Sequence, residues 1–216
     1  MFEYTAPKNL LEDKTILITG ASDGIGKVCA CTFADHGARV ILLGRNQEKL
    51  EAVYDQIEAV NPGKTIIHPL DFISATAADY QTLAQSLAEQ YEWLDGLIHN
   101  AALISAMNPI EFYPERDWNE LMQVNINAVF FLTKALLPSL SRSADARLLF
   151  TASSVGRVGR AYWGAYAVSK FAVEGLMQTL ADELANTSSI RVNSLNPGAT
   201  RTNMRRIAYP DRKSVV

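Results

Sequence analysis

Tyr166 and Lys170 stand four positions apart in the stretch AYAVSK, residues 165–170. Residues four apart share a face of an α-helix, so the Lys170 ammonium would lie one turn away and reach toward the phenol. A nearby cation favours the phenolate and lowers the pKa of a tyrosine from its ordinary value of about 10. A tyrosine placed in this way can give a proton to a carbonyl oxygen or remove one from an alcohol. The spacing is common by itself, so its meaning depends on the elements around it.

Six short apolar runs alternate with segments of helical period along the chain. The apolar runs cover residues 14–20, 38–44, 65–71, 94–101, 147–153 and 190–197. The helical segments cover residues 25–36, 47–60, 76–91, 116–137 and 166–185. Continuous apolar runs are typical of strands buried on both faces of a parallel sheet. One helix in each crossover predicts an α/β doubly wound (Rossmann) fold with strand order 3-2-1-4-5-6, and no pattern for a seventh strand follows.

The bulk properties fit one soluble domain spanning residues 1–216. The chain has a net charge of −3, which gives no general electrostatic footprint for nucleic acid. The sequence MFEYTAPKNLLEDK lacks the basic and then apolar pattern of a signal peptide, and no apolar run approaches a bilayer span. We therefore expect a cytoplasmic protein without membrane or nucleic-acid partners, and nothing in the sequence predicts a metal site.

The stretch TGASDGIG, residues 19–26, leaves the first apolar run and opens the first helical segment. In this context Gly20 allows a sharp turn, Gly24 lets the backbone approach a pyrophosphate, and Gly26 lets helix and strand pack closely. The start of the helix then presents free N–H groups and partial positive charge to the phosphates. The stretch predicts a dinucleotide-binding catalytic domain.

The spacing G-x-x-x-G-x-G with Thr19 in front resembles the short-chain dehydrogenase/reductase family, in its standard-length branch. The resemblance covers the chain from Lys14 to about Met204 and carries further motif positions in the family's order. These are Asn100, Asn125, Ser153, Tyr166, Lys170, Pro197 and Gly198. The phrases GASDGIG, FTASSVGR and NPGATRTNM resemble in particular the YciK-type oxidoreductases.

The resemblance implies four catalytic residues for hydride transfer between nicotinamide and a carbonyl or alcohol. Tyr166 would carry the proton, and Ser153 would orient the substrate oxygen. Lys170 would lower the Tyr166 pKa and hold the nicotinamide ribose, while Asn125 would keep a water that resupplies protons. Ser154 is the neighbouring alternative to Ser153, although strand alternation and the following Gly156 favour Ser153.

The end of the second strand predicts which dinucleotide binds. An acidic residue there would accept hydrogen bonds from a ribose 2′-hydroxyl, but this chain has Gly44 followed by Arg45. The guanidinium favours the 2′-phosphate of NADP(H) over NAD(H), and Ser22 is a second donor to it. The alternative is an ordinary solvated loop arginine.

Similar proteins use several further positions to hold the cofactor. Asp71 would hydrogen-bond the adenine amino group with Phe72 nearby, and Thr202 would bond the nicotinamide carboxamide. The full expected set is Gly20, Ser22, Asp23, Gly24, Ile25, Gly26, Arg45, Asp71, Phe72, Asn100, Ala101, Tyr166, Lys170, Pro197, Gly198 and Thr202. His99 and Ala102 depart from the family's Asn-Asn-Ala-Gly, and His99 is interpreted as structural.

The predicted function is that of an NADP-dependent oxidoreductase acting on a small-molecule carbonyl or alcohol. Tyr162, Trp163, Ala101 and Leu103 are expected to line the substrate pocket, and residues 203–216 are interpreted as the start of a truncated or flexible substrate loop. A homo-oligomer, dimer or tetramer, is expected because the resemblance implies pairing of the helices that hold Asn125 and Tyr166. Two alternatives remain: an NADP-binding sensor without turnover, and an epimerase or dehydratase of the family's extended branch, against which the glycine spacing argues.

Overall fold

A computed structural model of the chain describes residues 4–209. Six parallel strands form one sheet in the order β3-β2-β1-β4-β5-β6, which confirms the predicted α/β Rossmann topology. The strands are β1 (Thr15–Thr19), β2 (Arg39–Gly44), β3 (Thr65–Pro69), β4 (Gly96–His99), β5 (Arg147–Thr151) and β6 (Arg191–Leu195). Every residue of β1 is buried, as expected for a central strand that is covered on both faces.

Seven α-helices connect or follow the strands within the described chain. They are α1 (Gly24–Asp35), α2 (Gln47–Glu58), α3 (Ala77–Gln90), α4 (Glu115–Met122), α5 (Ala128–Ser141), α6 (Gly164–Leu184) and α7 (Asn203–Ala208). Helices α1 and α2 pack on one face of the sheet, and α3, α5 and α6 contribute to the core on the other. Small residues of α1, among them Gly26, Ala30 and Ala34, are buried, which lets its first turns come close to the strands.

The predicted helix over residues 116–137 is interrupted in its middle. Between α4 and α5 the residues Gln123–Asn127 form a π-helical turn, so the predicted continuous α-helix is wrong there. A single π turn carries one extra residue and changes the direction in which the following side chains point. This turn includes Asn125, one of the predicted catalytic residues.

The continuous helical stretch Glu115–Ser141 is long and apolar enough, by length and composition alone, to cross a membrane. Half of the window that passes this test is buried inside the protein. Leu132, Leu136 and Leu140 of this stretch belong to the main hydrophobic core. Its apolar character is therefore accounted for by packing against the sheet, as in the core helix of a globular domain.

The segment after β6 contains a structure that the sequence did not predict. Thr202 caps the short helix α7, with its side-chain oxygen accepting a hydrogen bond from the Arg205 backbone N–H. The predicted substrate-loop start at 203–216 thus begins as a helix. Residues 210–216, the rest of that prediction, lie outside the described residues.

Candidate active site

A cleft of about 520 Å³ lies at the carboxyl ends of the strands, where the fold class places its ligands. Of the predicted cofactor residues, only Gly26 is not on its wall; of the predicted catalytic residues, only Asn125 is not. The walls include Gly20, Ser22, Asp23, Gly24, Ile25, Arg45, Asp71, Phe72, Asn100, Ala101, Ser153, Tyr166, Lys170, Pro197, Gly198 and Thr202. Residues far apart in the sequence therefore meet in one cavity, as the motifs predict, while their individual roles stay predictions.

The glycine turn is shaped by close contacts that only glycine permits. Gly20 has a φ of +65°, and a Cβ on it would lie 2.9 Å from the Ala101 Cα. A Cβ on Gly26 would collide with the Gly20 carbonyl and the Asn100 amide. Gly26 is therefore behind the cleft wall and not on it: it sets how closely α1 approaches the turn.

Asn100 ties the end of β4 to the glycine turn. Its Nδ2 donates to the Thr19 carbonyl at 3.1 Å, and the Thr19 Oγ1 accepts from the backbone N–H groups of Asn100 and Ala101, both at 2.9 Å. These bonds cross from β4 to β1 at the strand ends. Asn100 and Ala101 thus fix the conformation of the glycine turn through hydrogen bonds from the end of β4.

His99 packs inside the protein, as the structural interpretation predicted. Its ring stacks on Phe150 with the centroids 5.0 Å apart, and its Nε2 lies 2.8 Å from the Thr133 Oγ1. Burial, helped by the nearby Lys170 charge, lowers the pKa of His99 to about 3. The imidazole is therefore neutral at pH 7.

Tyr166, Ser153 and Lys170 converge on the cleft. Ser153 hydrogen-bonds the Tyr166 side chain, while Ser154 is exposed and lies outside the cleft wall, which favours Ser153. The Lys170 Nζ lies 5.6 Å from the centroid of the Tyr166 ring. It donates a hydrogen bond of 2.7 Å to the Thr151 carbonyl, an anchor that the sequence did not reveal.

The expected lowering of the phenol pKa by Lys170 is wrong for this structure. Burial raises the pKa of Tyr166, and only the hydrogen bond with Ser153 acts in the opposite direction. Burial also lowers the pKa of Lys170 to about 8. The reason is shared: both side chains are almost fully buried, and a low-dielectric surrounding disfavours the charged form of each.

Asn125 lies outside the cleft wall and is hydrogen-bonded to the segments that form it. Its Oδ1 accepts from the Leu103 backbone N–H at 2.7 Å, and its Nδ2 donates to the Leu103 carbonyl and the Ser169 Oγ, both at 3.0 Å. The Ser169 hydroxyl in turn donates to the Tyr166 carbonyl at 2.8 Å. The π turn aims this amide between the loop after β4 and helix α6, consistent with the frequent occurrence of π turns at functional sites. The relay-water role stays a prediction.

Beside Tyr166 the cleft wall is largely apolar. The Trp163 ring lies 5.7 Å from the Tyr166 ring and 6.0 Å from that of Tyr209, measured between centroids. Trp163, Ala101 and Leu103 line the cleft as expected, but Tyr162 is 58% exposed and is not on its wall, so that expectation is wrong. The wall residues that the sequence did not predict include Ile104, Met204, Ile207 and Tyr209. The sequence signal for Met204, Ile207 and Tyr209 is the apolar positions of MRRIAY, which come together only once α7 forms; Ile104 has no such signal.

The opposite end of the cleft is polar. Arg45 and Lys49 lie on its wall with Ser22 and Asn46. Asn46 caps α2, its Oδ1 accepting from the Lys49 backbone N–H at 2.8 Å. Lys49 was missed, although its four-residue spacing from Arg45 was a usable signal. Two cations and a hydroxyl thus stand where the second strand ends, without a carboxylate in the Gly44 position.

Comparisons with known proteins agree with this architecture. The family described as short chain dehydrogenase matches residues 14–213. The uncharacterized oxidoreductase YciK of Escherichia coli K12 is 51% identical over 207 residues, covering 96% of this chain and 81% of that protein. A short chain dehydrogenase of Pseudomonas syringae superposes with a TM-score of 0.95 at 53% identity, covering 98% of this chain and 86% of its own.

Ligand-bound solved structures are also similar to this chain, among them the short chain dehydrogenase of Escherichia coli CFT073, complexed with NADPH. It is 51% identical with a TM-score of 0.92, covering 96% of this chain and 85% of that one. With the glycine turn, the sheet order and the match over nearly the whole length, the chain belongs to the short-chain dehydrogenase family and is an oxidoreductase of that family.

Proposed function

We propose that the protein transfers hydride between NADP(H) and an apolar carbonyl or alcohol substrate. The observation that carries this proposal is the continuity of one cleft from the glycine turn to Tyr166, Ser153 and Lys170. The bound dinucleotide supplies the hydride; the protein supplies alignment and proton transfer.

The proposed roles follow the geometry. The Tyr166 hydroxyl gives its proton to the carbonyl oxygen during reduction, and a high phenol pKa means that it carries that proton at neutral pH. Ser153, already hydrogen-bonded to Tyr166, holds the substrate oxygen and stabilises developing negative charge.

Lys170 and Asn125 serve the proton path in this proposal. Lys170, with its pKa lowered to about 8, gives up a proton more easily than an exposed lysine and is suited to re-protonating the phenolate after each reduction. Asn125 fixes the backbone beside this lysine through Leu103 and Ser169, and so supports the water that links the lysine to solvent.

The preference for NADP(H) over NAD(H) is part of the proposal. Arg45, Lys49 and Ser22 supply donors for a 2′-phosphate, and no acidic side chain follows β2 immediately to accept from a ribose 2′-hydroxyl. The solved relatives from Shigella flexneri and Escherichia coli CFT073, complexed with NADP and NADPH, support the same choice.

Replacing Tyr166 by Phe tests the chemistry. We expect carbonyl reduction to fall by a factor of about 10² to 10⁴, the range for a general acid, while the NADPH dissociation constant stays within about threefold. Tyr162→Phe is the matched control, since that phenol is exposed outside the cleft. Retention of most activity in Tyr166→Phe would contradict the role; NADPH binding without turnover on a broad panel of carbonyls would favour the sensor.

The proposal includes a cytoplasmic homodimer. Phe130 on α5 and Val168 and Phe171 on α6 are apolar side chains that are nearly half exposed, as expected of a surface that another subunit covers. Light scattering would test the dimer, with Phe171→Asp expected to shift the mass toward the monomer. A wild-type monomer at micromolar concentration would contradict it, and cell fractionation would test the compartment.

A further inference from the structure

Helix α7 lines the cleft and is hydrogen-bonded to the glycine turn, on the predicted phosphate side. The Asn203 Nδ2 donates a hydrogen bond of 2.7 Å to the Asp23 Oδ2, joining residues 180 positions apart. Asp23 is the cap of α1, where the predicted pyrophosphate site begins. Both residues line the same cleft, so their hydrogen bond links the glycine turn to α7 at the cleft wall.

The pairing has one chemically sensible orientation. The second Asp23 oxygen, Oδ1, accepts from the Gly24 backbone N–H at 2.7 Å, which fixes the carboxylate against the glycine turn. The Asn203 Oδ1 accepts from the Arg206 guanidinium at 3.3 Å, so its amide nitrogen is the group turned to the carboxylate. A carboxylate only accepts and a guanidinium only donates, which rules out the flipped amide.

The other end of α7 reaches the catalytic side. Tyr209, just after the helix, packs its ring against Trp163, and Trp163 packs against Tyr166. Next to the hydrogen bond between Asn203 and Asp23, the Thr202 methyl group would lie 3.2 Å from a Cβ on Gly24, so the start of α7 lies close to the glycine turn. The helix therefore bridges the phosphate-binding turn and the aromatic wall beside the proton donor.

We infer that Asn203 and Asp23 form a clasp that retains the dinucleotide and holds α7 over the cleft while the reaction proceeds. The inference rests on the proposed NADP(H) binding and adds two positioning residues to it. Release of the cofactor requires the clasp to open. The hydrogen bond therefore affects the rate of cofactor dissociation more than it affects the rate of hydride transfer. If Asp23 served only as the cap of α1, substitution of Asn203 would not change cofactor release.

The experiment measures NADPH release by stopped flow, with excess NADP⁺ as the trap and no substrate present. We expect Asn203→Ala and Asp23→Ser each to release NADPH about tenfold faster, the low end for a hydrogen bond to a charged group because this pair is exposed. Serine keeps a capping oxygen but does not reach Asn203. The double variant should release NADPH no faster than the faster single one, because both changes break the same bond.

Control variants separate the clasp from simpler effects. Asn61→Ala removes a comparable exposed contact, from its Nδ2 to the Asp35 Oδ1 at 3.4 Å, far from the cleft, and should leave release unchanged. Asn203→Asp places two carboxylates face to face and should release NADPH faster than wild type. If Asp23 acted only through its charge near the phosphates, Asp23→Ser would slow release instead.

In steady state, Asn203→Ala should raise the KM for NADPH without lowering kcat, and the melting temperature of the cofactor-free protein should not change. Release within twofold of wild type for Asn203→Ala, or rates that multiply to about hundredfold in the double variant, would overturn the clasp while leaving the proposed function intact. Failure of the wild type to bind NADPH would overturn both.

Discussion

The cofactor preference can be reversed at one glycine. Gly44 ends β2 beside the polar end of the cleft, and its φ lies outside the left-handed region. The nearest neighbours of a Cβ there would be the Leu50 side chain at 3.5 Å and the Ser22 Oγ at 3.7 Å, which are ordinary van der Waals distances. Gly44→Asp should therefore fold normally and bring a carboxylate next to Ser22, the predicted phosphate donor.

The size of the effect follows from charge. A carboxylate about 5 Å from a doubly charged 2′-phosphate is disfavoured by about 2 kcal/mol even at the dielectric constant of water. With NADH, the same carboxylate accepts hydrogen bonds from the ribose hydroxyls, and a bond to a charged group contributes about 1.5–3 kcal/mol. The two terms together predict a change in the NADH-to-NADPH preference of about 10²- to 10³-fold, since about 1.4 kcal/mol is a factor of ten.

The assay is a pair of dissociation constants, for NADPH and NADH, by fluorescence titration of wild type and Gly44→Asp. Gly44→Ala fills the same space without charge and should change the ratio by less than about threefold. NADPH binding by Gly44→Asp should also weaken less at high salt, because salt screens the repulsion at the cleft opening, where the neighbouring Arg45 is exposed. An unchanged ratio in Gly44→Asp would refute the location of the 2′-phosphate at the end of β2.

Three further predictions concern burial around the site. The pKa of Lys170 is about 8 in the folded protein and 10.5 in the unfolded chain, so between these pH values the unfolded chain binds an extra proton. The free energy of unfolding of the wild type relative to Lys170→Met should therefore rise by about 3 kcal/mol from pH 8 to 10.5. Urea unfolding of both proteins measures it. The pKa of His99 is about 3 in the folded protein and 6.5 in the unfolded chain. Relative to His99→Asn, the wild type should therefore lose about 1.4 kcal/mol of stability for each pH unit from 6.5 down toward 3. A Cβ on Gly156 would lie 2.8 Å from the Lys170 backbone, so Gly156→Ala should cost about 1–3 kcal/mol by thermal unfolding and reduce kcat; unchanged values would contradict a rigid contact between the Ser153 turn and α6.

Much of the fold was predictable from the sequence because the inner strands β1, β2 and β4 are buried along nearly their whole length, which makes their sequences continuously apolar. Each of the six apolar runs contains one strand of the sheet, and the ends of run and strand differ by at most two residues. The glycine turn was readable because its three glycines have separate steric reasons, which the contacts of Gly20 and Gly26 bear out. The π turn at Gln123–Asn127 was not readable, because one extra residue in a helix leaves the apolar period on either side nearly intact.

The electrostatics of the site could not be predicted from spacing. Four residues of separation place Lys170 on the face of Tyr166, but spacing says nothing of where the long side chain ends, and its Nζ ends on the Thr151 carbonyl. Nor does spacing give burial, which determines the direction of both pKa shifts here. In water the phenol, with an ordinary pKa of 10.0, is a slightly stronger acid than the ammonium, with 10.5. Burial raises the phenol pKa and lowers the ammonium pKa to about 8, so the order is reversed and the ammonium becomes the stronger acid. That reversal favours passage of a proton from Lys170 to the phenolate after reduction, so the burial that contradicts the simple cation argument supports the same residues in the catalytic cycle.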